Sequence, residues 1–173
     1  MSTPPRLQSE CYQGFGRFFL TICTYRRREW FASADCVGRV GIDLLRTSGD
    51  YRFDGIAYCF MRDHVHGLFE STAPDCDFRK FASMLKQRSA FAHKKATSEK
   101  LWQDGYFDRV LRREEATLDV VAYILENPVE AGLCRDSRDY PFIGSTLYSV
   151  EDLHDAVAAR SRDRVSVAVI WRP

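Results

Sequence analysis

The sequence predicts a single α+β domain in which helices cover one face of an antiparallel sheet. Three observations support this prediction. A chain of 173 residues suits one domain with a substantial core. Apolar residues make up 45% of the chain and charged residues 28%, as in ordinary globular proteins. Segments with strand alternation and segments with helix spacing follow one another in the order β-α-β-β-α-β-α.

The first half of the chain predicts three strands and one helix. Residues 15–25, FGRFFLTICTY, are rich in the aromatic and β-branched residues that strands favour. Residues 36–45 carry apolar side chains at helix spacing, and this pattern ends near TSGD. The runs IAYCFMR and VHGLF then indicate two further strands. We expect these two strands to meet near Asp63.

The second half predicts a basic amphipathic helix over 78–93, a strand over 105–113 and a short helix over 118–126. The first of these helices is expected to turn four apolar side chains inward: Phe81, Met84, Leu85 and Phe91. The domain core then spans about residues 14–145 of the single domain 1–173. The N-terminal arm and the tail after about Ser149 are expected to be peripheral.

Composition argues against membrane and exported proteins. No apolar run approaches the ~18 residues of a membrane span, so no membrane partner is expected. The N-terminus MSTPPRLQSE lacks the basic start and apolar stretch of a signal peptide. The six cysteines are scattered without a CxxC pair. Free thiols in a reducing cytoplasm suit this pattern better than a disulfide framework or a zinc cluster.

The net charge of +1 conceals a strong asymmetry along the chain. Residues 78–113 hold ten Lys or Arg against three acids, whereas residues 114–163 hold eleven acids against four arginines. A charged run is often only a solvated helix face. A central basic segment is also what a polyanion-binding protein shows, and a smaller basic run, YRRR, spans 25–28. The candidate DNA-binding residues are Arg79, Lys80, Lys86, Arg88, Lys94, Lys95, Arg109, Arg112 and Arg113.

Two of the four histidines lie one residue apart in DHVHGLFE, residues 63–70. Side chains alternate between the two faces of a strand, so His64 and His66 project from the same face. Two neutral imidazoles at this spacing can bind one metal ion together. Two ligands cannot complete a coordination shell, and a half-buried pair that only forms hydrogen bonds is the alternative. A metal site therefore needs a further ligand from elsewhere in the chain.

The segment TLDVVAYILENPVEAGL carries a candidate nucleophile. On a helical wheel Tyr123 lies off the apolar stripe, and Asn127 follows it by four residues on the same face. A tyrosine can act as a covalent nucleophile when a cation stabilises the developing charge. One alternative is a boundary tyrosine with its hydroxyl in water. The other is that Asn127 is the N-cap of a new turn that begins with Pro128 and ends at Gly132.

These motifs together resemble the REP-associated tyrosine transposases, which belong to the HUH superfamily of single-tyrosine transposases. The resemblance rests on the order of an HxH strand, a basic helix, GYFDRVLR, YIxxNPVxAGL and a terminal DYPFxGS, over roughly residues 14–145. The chain departs from the family where the histidine pair follows Arg62-Asp63 in place of the usual Pro-Asn. Asp63 could therefore add a carboxylate near the metal.

The resemblance implies a ferredoxin-like domain that cleaves and rejoins single-stranded, hairpin-forming DNA through a 5′-phosphotyrosine. It implies Tyr123 as the nucleophile and His64, His66 and Asn127 as metal ligands. Phosphodiester cleavage needs charge stabilisation on the non-bridging oxygens, which favours Mg²⁺ or Mn²⁺ as the cofactor. Transfer through tyrosine conserves the bond energy, in agreement with the absence of a GxxxxGK[ST] stretch.

Two other functions agree with the same residues. One is a non-catalytic nucleic-acid-binding domain whose histidines are structural or bind a metal without turnover. The other is a metal-dependent phosphodiesterase with water as the nucleophile. Only the tyrosine transposase, acting as a monomer or a homodimer, forms a covalent adduct with DNA. Trp102, Tyr106 and Phe107 are further candidates for stacking on bases, with core packing as the alternative.

Overall fold

The computed structural model describes residues 9–111 and 117–170, which form a five-stranded antiparallel sheet and four α-helices. The strands are β1 Arg17–Cys23, β2 Phe53–Met61, β3 His64–Ser71, β4 Phe107–Leu111 and β5 Ile143–Gly144. The helices are α1 Ala34–Tyr51, α2 Phe78–Thr97, α3 Thr117–Glu130 and α4 Val150–Ile170. The strand order across the sheet is β4-β1-β3-β2-β5, so the long hairpin of β2 and β3 adjoins β1.

The inner strand β1, RFFLTIC, is apolar on both sides. Phe18 and Ile22 project into a core cluster on one face of the sheet, which we call the aromatic face. Phe19 projects into a second cluster on the opposite face. We call that opposite face the histidine face, because His64 and His66 project from it with Leu68. A strand that is apolar on both sides needs cover on both sides.

The α+β class and the antiparallel sheet are confirmed, but the helices divide between the two faces. Helices α1 and α2 cover the aromatic face, whereas α3 and α4 pack on the histidine face. The sequence predicted helices on one face, whereas apolar residues of the strands form a cluster on each face and helices cover both. Two covered faces leave the edges of the sheet and the strand ends as the places where polar groups meet solvent.

Helix α2 has a different inner face from the one predicted. Phe81 and Leu85 are buried as expected, but Phe91 is 73% exposed, so its predicted inward position was wrong. His93 takes a buried position instead, beside Cys36 of α1. The reason is geometric: residues 81, 85 and 89 follow one line along the helix, and the next positions on that line are 92 and 93.

Helix α3 is continuous from Thr117 to Glu130 and includes Pro128, whereas the sequence predicted a helix that ends at residue 126. Asn127 therefore does not cap a new turn. The Asn127 side-chain nitrogen instead donates to the Tyr123 carbonyl oxygen at 2.6 Å. The helix ends before Gly132, which adopts a left-handed φ of 68° that glycine tolerates best.

The C-terminal part contributes more structure than the sequence predicted. Strand β5 pairs with β2 through Ile143, and α4 buries Leu153 against the cluster on the histidine face. Arg160 of α4 also forms an ion pair with Asp119 of α3 at 3.0 Å. Within the described residues, none of the helices has the length and apolar character needed to cross a membrane.

Candidate active site

The hairpin of β2 and β3 positions both candidate histidines on the histidine face. His64 is the first residue of β3, and His66 pairs with Thr21 of β1 and Cys59 of β2. The two Nε2 atoms lie 3.0 Å apart, so both imidazoles point toward one place. The structure thus brings together the two residues that the sequence singled out.

The remaining ring nitrogens are held by polar side chains. His64 Nδ1 lies 2.6 Å from Asp63 Oδ1, and His66 Nδ1 lies 2.8 Å from Thr21 Oγ1. Metal-binding histidines commonly have their second nitrogen held in this way, which orients the ring. Asp63 Oδ2 forms an ion pair with Arg27 Nε at 2.8 Å. Both oxygens of Asp63 are therefore engaged by protein groups, one by His64 and one by Arg27.

Burial keeps the His66 imidazole neutral. His66 is buried beneath α3, where its ring stacks on Phe19 with centroids 5.4 Å apart. Desolvation, with the neighbouring His64 as the next cause, lowers the pKa of His66 to about 4. A neutral imidazole has the lone pair that a metal ion requires, so His66 can serve as a ligand throughout the neutral pH range.

Helix α3 places Tyr123 and Asn127 over the histidine pair. The Tyr123 ring lies 5.5 Å from the His66 ring and 5.9 Å from the Phe19 ring, between centroids. Tyr123 remains 47% exposed, so its hydroxyl is accessible to a substrate. Asn127 is within hydrogen-bonding reach of the His66 imidazole. The predicted nucleophile and the predicted third ligand therefore adjoin the same histidine.

The donor set can be tested against a divalent ion. Across residues 9–111 and 117–170, no group of three or more His, Cys, Asp or Glu side chains is arranged to hold a metal. Two imidazole nitrogens with the amide oxygen of Asn127 make a partial set that fits Mg²⁺ or Mn²⁺ when water and substrate oxygens supply the remaining ligands.

The basic residues of α2 lie across the sheet from the histidine pair, because α2 packs on the aromatic face. Lys86 and Arg88 are held by short polar contacts with neighbouring segments. The Lys86 ammonium binds the carbonyl oxygens of Gln103 (2.8 Å) and Gly105, and Arg88 pairs with Asp50 of α1 at 2.7 Å. These two side chains connect α2 to neighbouring segments of the fold, a role that the count of charges along the sequence did not indicate.

The other candidate DNA-binding residues that the structure describes lie on α2 and on β4. Arg79, Lys80, Lys94 and Lys95 lie on exposed positions of α2. Arg109 lies on β4 opposite Phe19 and therefore projects from the histidine face, as does Phe107, which pairs with Thr21 and is 45% exposed. Arg112 and Arg113 lie outside the described residues.

Sequence reasoning missed two groups at the site. Thr21 is a polar residue in an apolar strand, and its place in the alternation of β1 was a signal that it faces the same side as Phe19. The contact of Arg27 with Asp63 joins residues distant in sequence, and no local pattern indicates it. Among the proposed stacking residues, Trp102 is buried and donates its indole N–H to Ser89 at 2.8 Å, so it is a core residue.

Comparison with known proteins identifies the family to which this chain belongs. The model of the IS200-like transposase family matches residues 17–127, which is more than half of the chain and includes His64, His66, Tyr123 and Asn127. The chain therefore belongs to the IS200-like transposase family, and it is an enzyme of DNA strand cleavage and transfer. This confirms the resemblance found in the sequence.

Individual relatives are REP-associated tyrosine transposases. A protein of Haemophilus influenzae assigned to this group is 22% identical over 138 residues, covering 73% of this chain and 78% of the relative. One from Escherichia coli K12 is 21% identical over 156 residues, covering 87% and 92%. A solved structure of a REP-associated tyrosine transposase bound to a REP hairpin has a TM-score of 0.70 at 22% identity, covering 83% of this chain and 82% of that chain.

Proposed function

We propose that this enzyme cleaves and rejoins single-stranded DNA at hairpin-forming repeats of the repetitive extragenic palindrome type, with Tyr123 as the nucleophile. The observation that carries the proposal is the position of the exposed Tyr123 ring over His66, 5.5 Å between centroids, with Asn127 one helical turn further on. The relatives named above provide the support for hairpin DNA as the substrate.

Cleavage forms one phosphorus–oxygen bond and breaks another. The Tyr123 oxygen attacks the scissile phosphorus and loses its proton to water, while the 3′ oxygen of the upstream strand leaves and takes up a proton. The downstream strand remains attached to Tyr123 through its 5′ phosphate. Rejoining is the reverse reaction with a 3′ hydroxyl, and because the bond energy is conserved, no nucleotide cofactor is consumed.

His64, His66 and Asn127 would hold the divalent cation. When bound, Mg²⁺ or Mn²⁺ stabilises negative charge on the non-bridging phosphate oxygens. The protein contributes orientation: Thr21 holds the His66 ring, and the Asn127 amide nitrogen is held by the Tyr123 carbonyl oxygen at 2.6 Å. That bond turns the amide oxygen away from the helix backbone, and the same helix presents Tyr123 at the same site.

The DNA surface is proposed to extend from the histidine face around the β4 edge. Arg109 and Phe107 project from the histidine face, where a cation contacts phosphate and an exposed ring stacks on a base. The exposed residues Lys94 and Lys95 lie on α2, which packs on the aromatic face, and add positive charge on that side of the sheet. Lys86 and Arg88 are expected to contribute less, because their side chains already bind protein groups.

A labelled hairpin oligonucleotide with Mn²⁺ tests the proposal. Wild-type protein should form a covalent protein–DNA adduct that survives denaturation, and Tyr123→Phe should lower the rate of cleavage by at least about 10³-fold. The matched control is Tyr148→Phe, since Tyr148 is also exposed but lies outside the site. It should cleave at the wild-type rate.

The rival functions give different results in the same experiment. Cleavage without an adduct, retained in Tyr123→Phe, would indicate a phosphodiesterase that uses water. Hairpin binding without any cleavage across divalent metals would indicate a binding domain. Either result would overturn the assignment of Tyr123 as the nucleophile.

A further inference from the structure

The basic run YRRR, residues 25–28, lies against the turn that precedes the histidine pair. Thr24 donates its backbone N–H to the Asp63 carbonyl oxygen at 2.9 Å, and Phe31 donates to the Arg62 carbonyl oxygen at 3.0 Å. The buried Thr24 hydroxyl also lies 3.0 Å from the Asp63 carbonyl oxygen. The segment that follows β1 therefore fixes the backbone of the β2–β3 turn.

Asp63 connects this segment to His64 through its side chain. One carboxylate oxygen lies 2.6 Å from His64 Nδ1, and the other lies 2.8 Å from Arg27 Nε. The Asp63 side chain is 23% exposed and that of His64 is 16% exposed, so solvent competes weakly for their bond. A carboxylate oxygen accepts hydrogen bonds, so this contact favours the form of His64 that carries its proton on Nδ1.

The backbone of the run is unusual for its residue type. Arg26 and Arg27 have φ values of 55° and 56°, in the left-handed region that residues other than glycine rarely adopt. Such conformations persist only where the surrounding structure imposes them, and they cluster at functional sites. Here the conformation delivers the Arg27 guanidinium to Asp63, while Arg26 lies over the Tyr25 ring at 5.2 Å.

We propose that Arg27 and Asp63 form a positioning pair that holds His64 in its Nδ1–H tautomer, with the Nε2 lone pair directed at the place where His66 Nε2 points. Arg27 orients the Asp63 carboxylate, and Asp63 fixes the position of the proton and the plane of the imidazole. The role of His64 as a metal ligand rests on the proposed function, whereas the tautomer is a property of the metal-free protein.

The direct test is the tautomer of His64, read from ¹⁵N chemical shifts of labelled, metal-free protein at neutral pH. Wild-type protein should show the Nδ1–H form, and Asp63→Ala should shift His64 toward the Nε2–H form. Asp63→Asn should retain the Nδ1–H form, because an amide oxygen still accepts the bond. The spectra are repeated in a His66→Ala background, because His66 Nε2 lies 3.0 Å from His64 Nε2 and also influences the proton.

The second measurement is the affinity for Mn²⁺ by calorimetric titration. Asp63→Ala should weaken it by about 10- to 100-fold, the usual consequence of losing a group that orients a ligand. Arg27→Gln should weaken it less, and the matched control Arg26→Gln should leave it unchanged. Arg26 shares the charge and the left-handed backbone of Arg27 but contacts the Tyr25 ring in place of Asp63.

The outcomes separate this inference from the proposed function. An unchanged His64 tautomer in Asp63→Ala, or equal losses of affinity in Arg27→Gln and Arg26→Gln, would overturn the positioning pair. A wild-type protein that binds no Mn²⁺ but shows an Asp63-dependent tautomer would contradict the metal site and support the pair. If Asp63→Ala does not fold, a reduced Nδ1–H population in Arg27→Gln supports the pair and an unchanged one overturns it.

Discussion

The two faces of the sheet use the same strands for different purposes. On the aromatic face, Phe18 stacks on Phe78 at 4.5 Å and Phe53 on Phe81 at 4.7 Å, between centroids, and the layer is sealed by α1 and α2. On the histidine face, polar groups lie inside an otherwise apolar cluster, with His66 against Phe19.

This difference shows how one fold separates stability from chemistry. Dispersion and the hydrophobic effect reward complete burial, which the aromatic face achieves. A reactive site needs polar groups that are desolvated yet reachable, which the histidine face achieves with a buried His66 beneath a half-exposed Tyr123. Substitutions on the aromatic face should therefore change stability most, and those on the histidine face should change metal binding and cleavage most.

The largest effect on stability is expected at Phe81, which is fully buried and contacts the rings of Phe53 and Phe69. Phe81→Ala should lower the free energy of unfolding by about 3–5 kcal/mol. Phe91→Ala on the same helix is the control, because Phe91 is 73% exposed and should change it by less than about 0.5 kcal/mol. Urea unfolding measures both, and equal losses would contradict the burial of α2 described above.

Substitutions on the histidine face should change the affinity for metal more than they change stability. His64→Ala and His66→Ala should each weaken Mn²⁺ binding by more than about 100-fold, since few protein ligands are available to replace them. Asn127→Ala should cost about 10-fold, because water replaces an amide oxygen. Calorimetric titration measures the affinities, and unchanged binding in both histidine variants would reduce the pair to a structural role.

Acid should destabilise the metal-free protein through buried histidines on both faces. Desolvation lowers the pKa of His66 to about 4 and also lowers the pKa of His93, from an ordinary value of 6.5. The unfolded chain therefore binds protons more readily than the folded protein. The free energy of unfolding is highest above about pH 6.5 and falls as the pH decreases toward 4. His66 should account for about 2 kcal/mol of the loss between pH 7.5 and pH 5.

Urea unfolding at the two pH values in EDTA tests this expectation. His66→Gln should remove most of its share of the pH dependence, and His93→Gln should remove a separate share because it lies on the other face. A pH dependence that neither variant changes would assign the acid sensitivity to other groups.

The smallest effect is expected on hairpin binding when basic residues of α2 are replaced. Two pairs of these residues can be compared, one exposed and one bound to protein groups. Replacing the exposed Lys94 and Lys95 with Gln should flatten the salt dependence of hairpin binding by about 1.4 units, at about 0.7 per phosphate contact. The same change at Lys86 and Arg88 should flatten it less, since these side chains bind Gln103 and Asp50. Equal slopes for wild type and the Lys94 and Lys95 variant would place the DNA on the histidine face alone.

Local patterns were enough to predict most of the secondary structure. Runs rich in aromatic, β-branched and apolar residues predicted β1 to β3, a further strand was predicted at β4, and helix spacing predicted α1, α2 and α3, in the observed order. The boundaries were less accurate: α1 extends to Tyr51 and α3 continues through Pro128. The two-residue strand β5 and helix α4 were missed, because β5 is too short for a period and α4 lacks a strong apolar stripe.

The sequence by itself determined which residues share a face. The alternation of β3 placed His64 with His66, and the helical turn placed Tyr123 with Asn127, because both patterns depend only on backbone geometry. The tertiary structure decided which face meets which helix. It set the Tyr123 ring 5.5 Å from the His66 ring, and it placed the basic residues of α2 on the opposite side of the sheet from the histidine pair. It also joined Arg27 to Asp63, because contacts between residues distant in the chain depend on packing and strand order, which local periodicity does not encode.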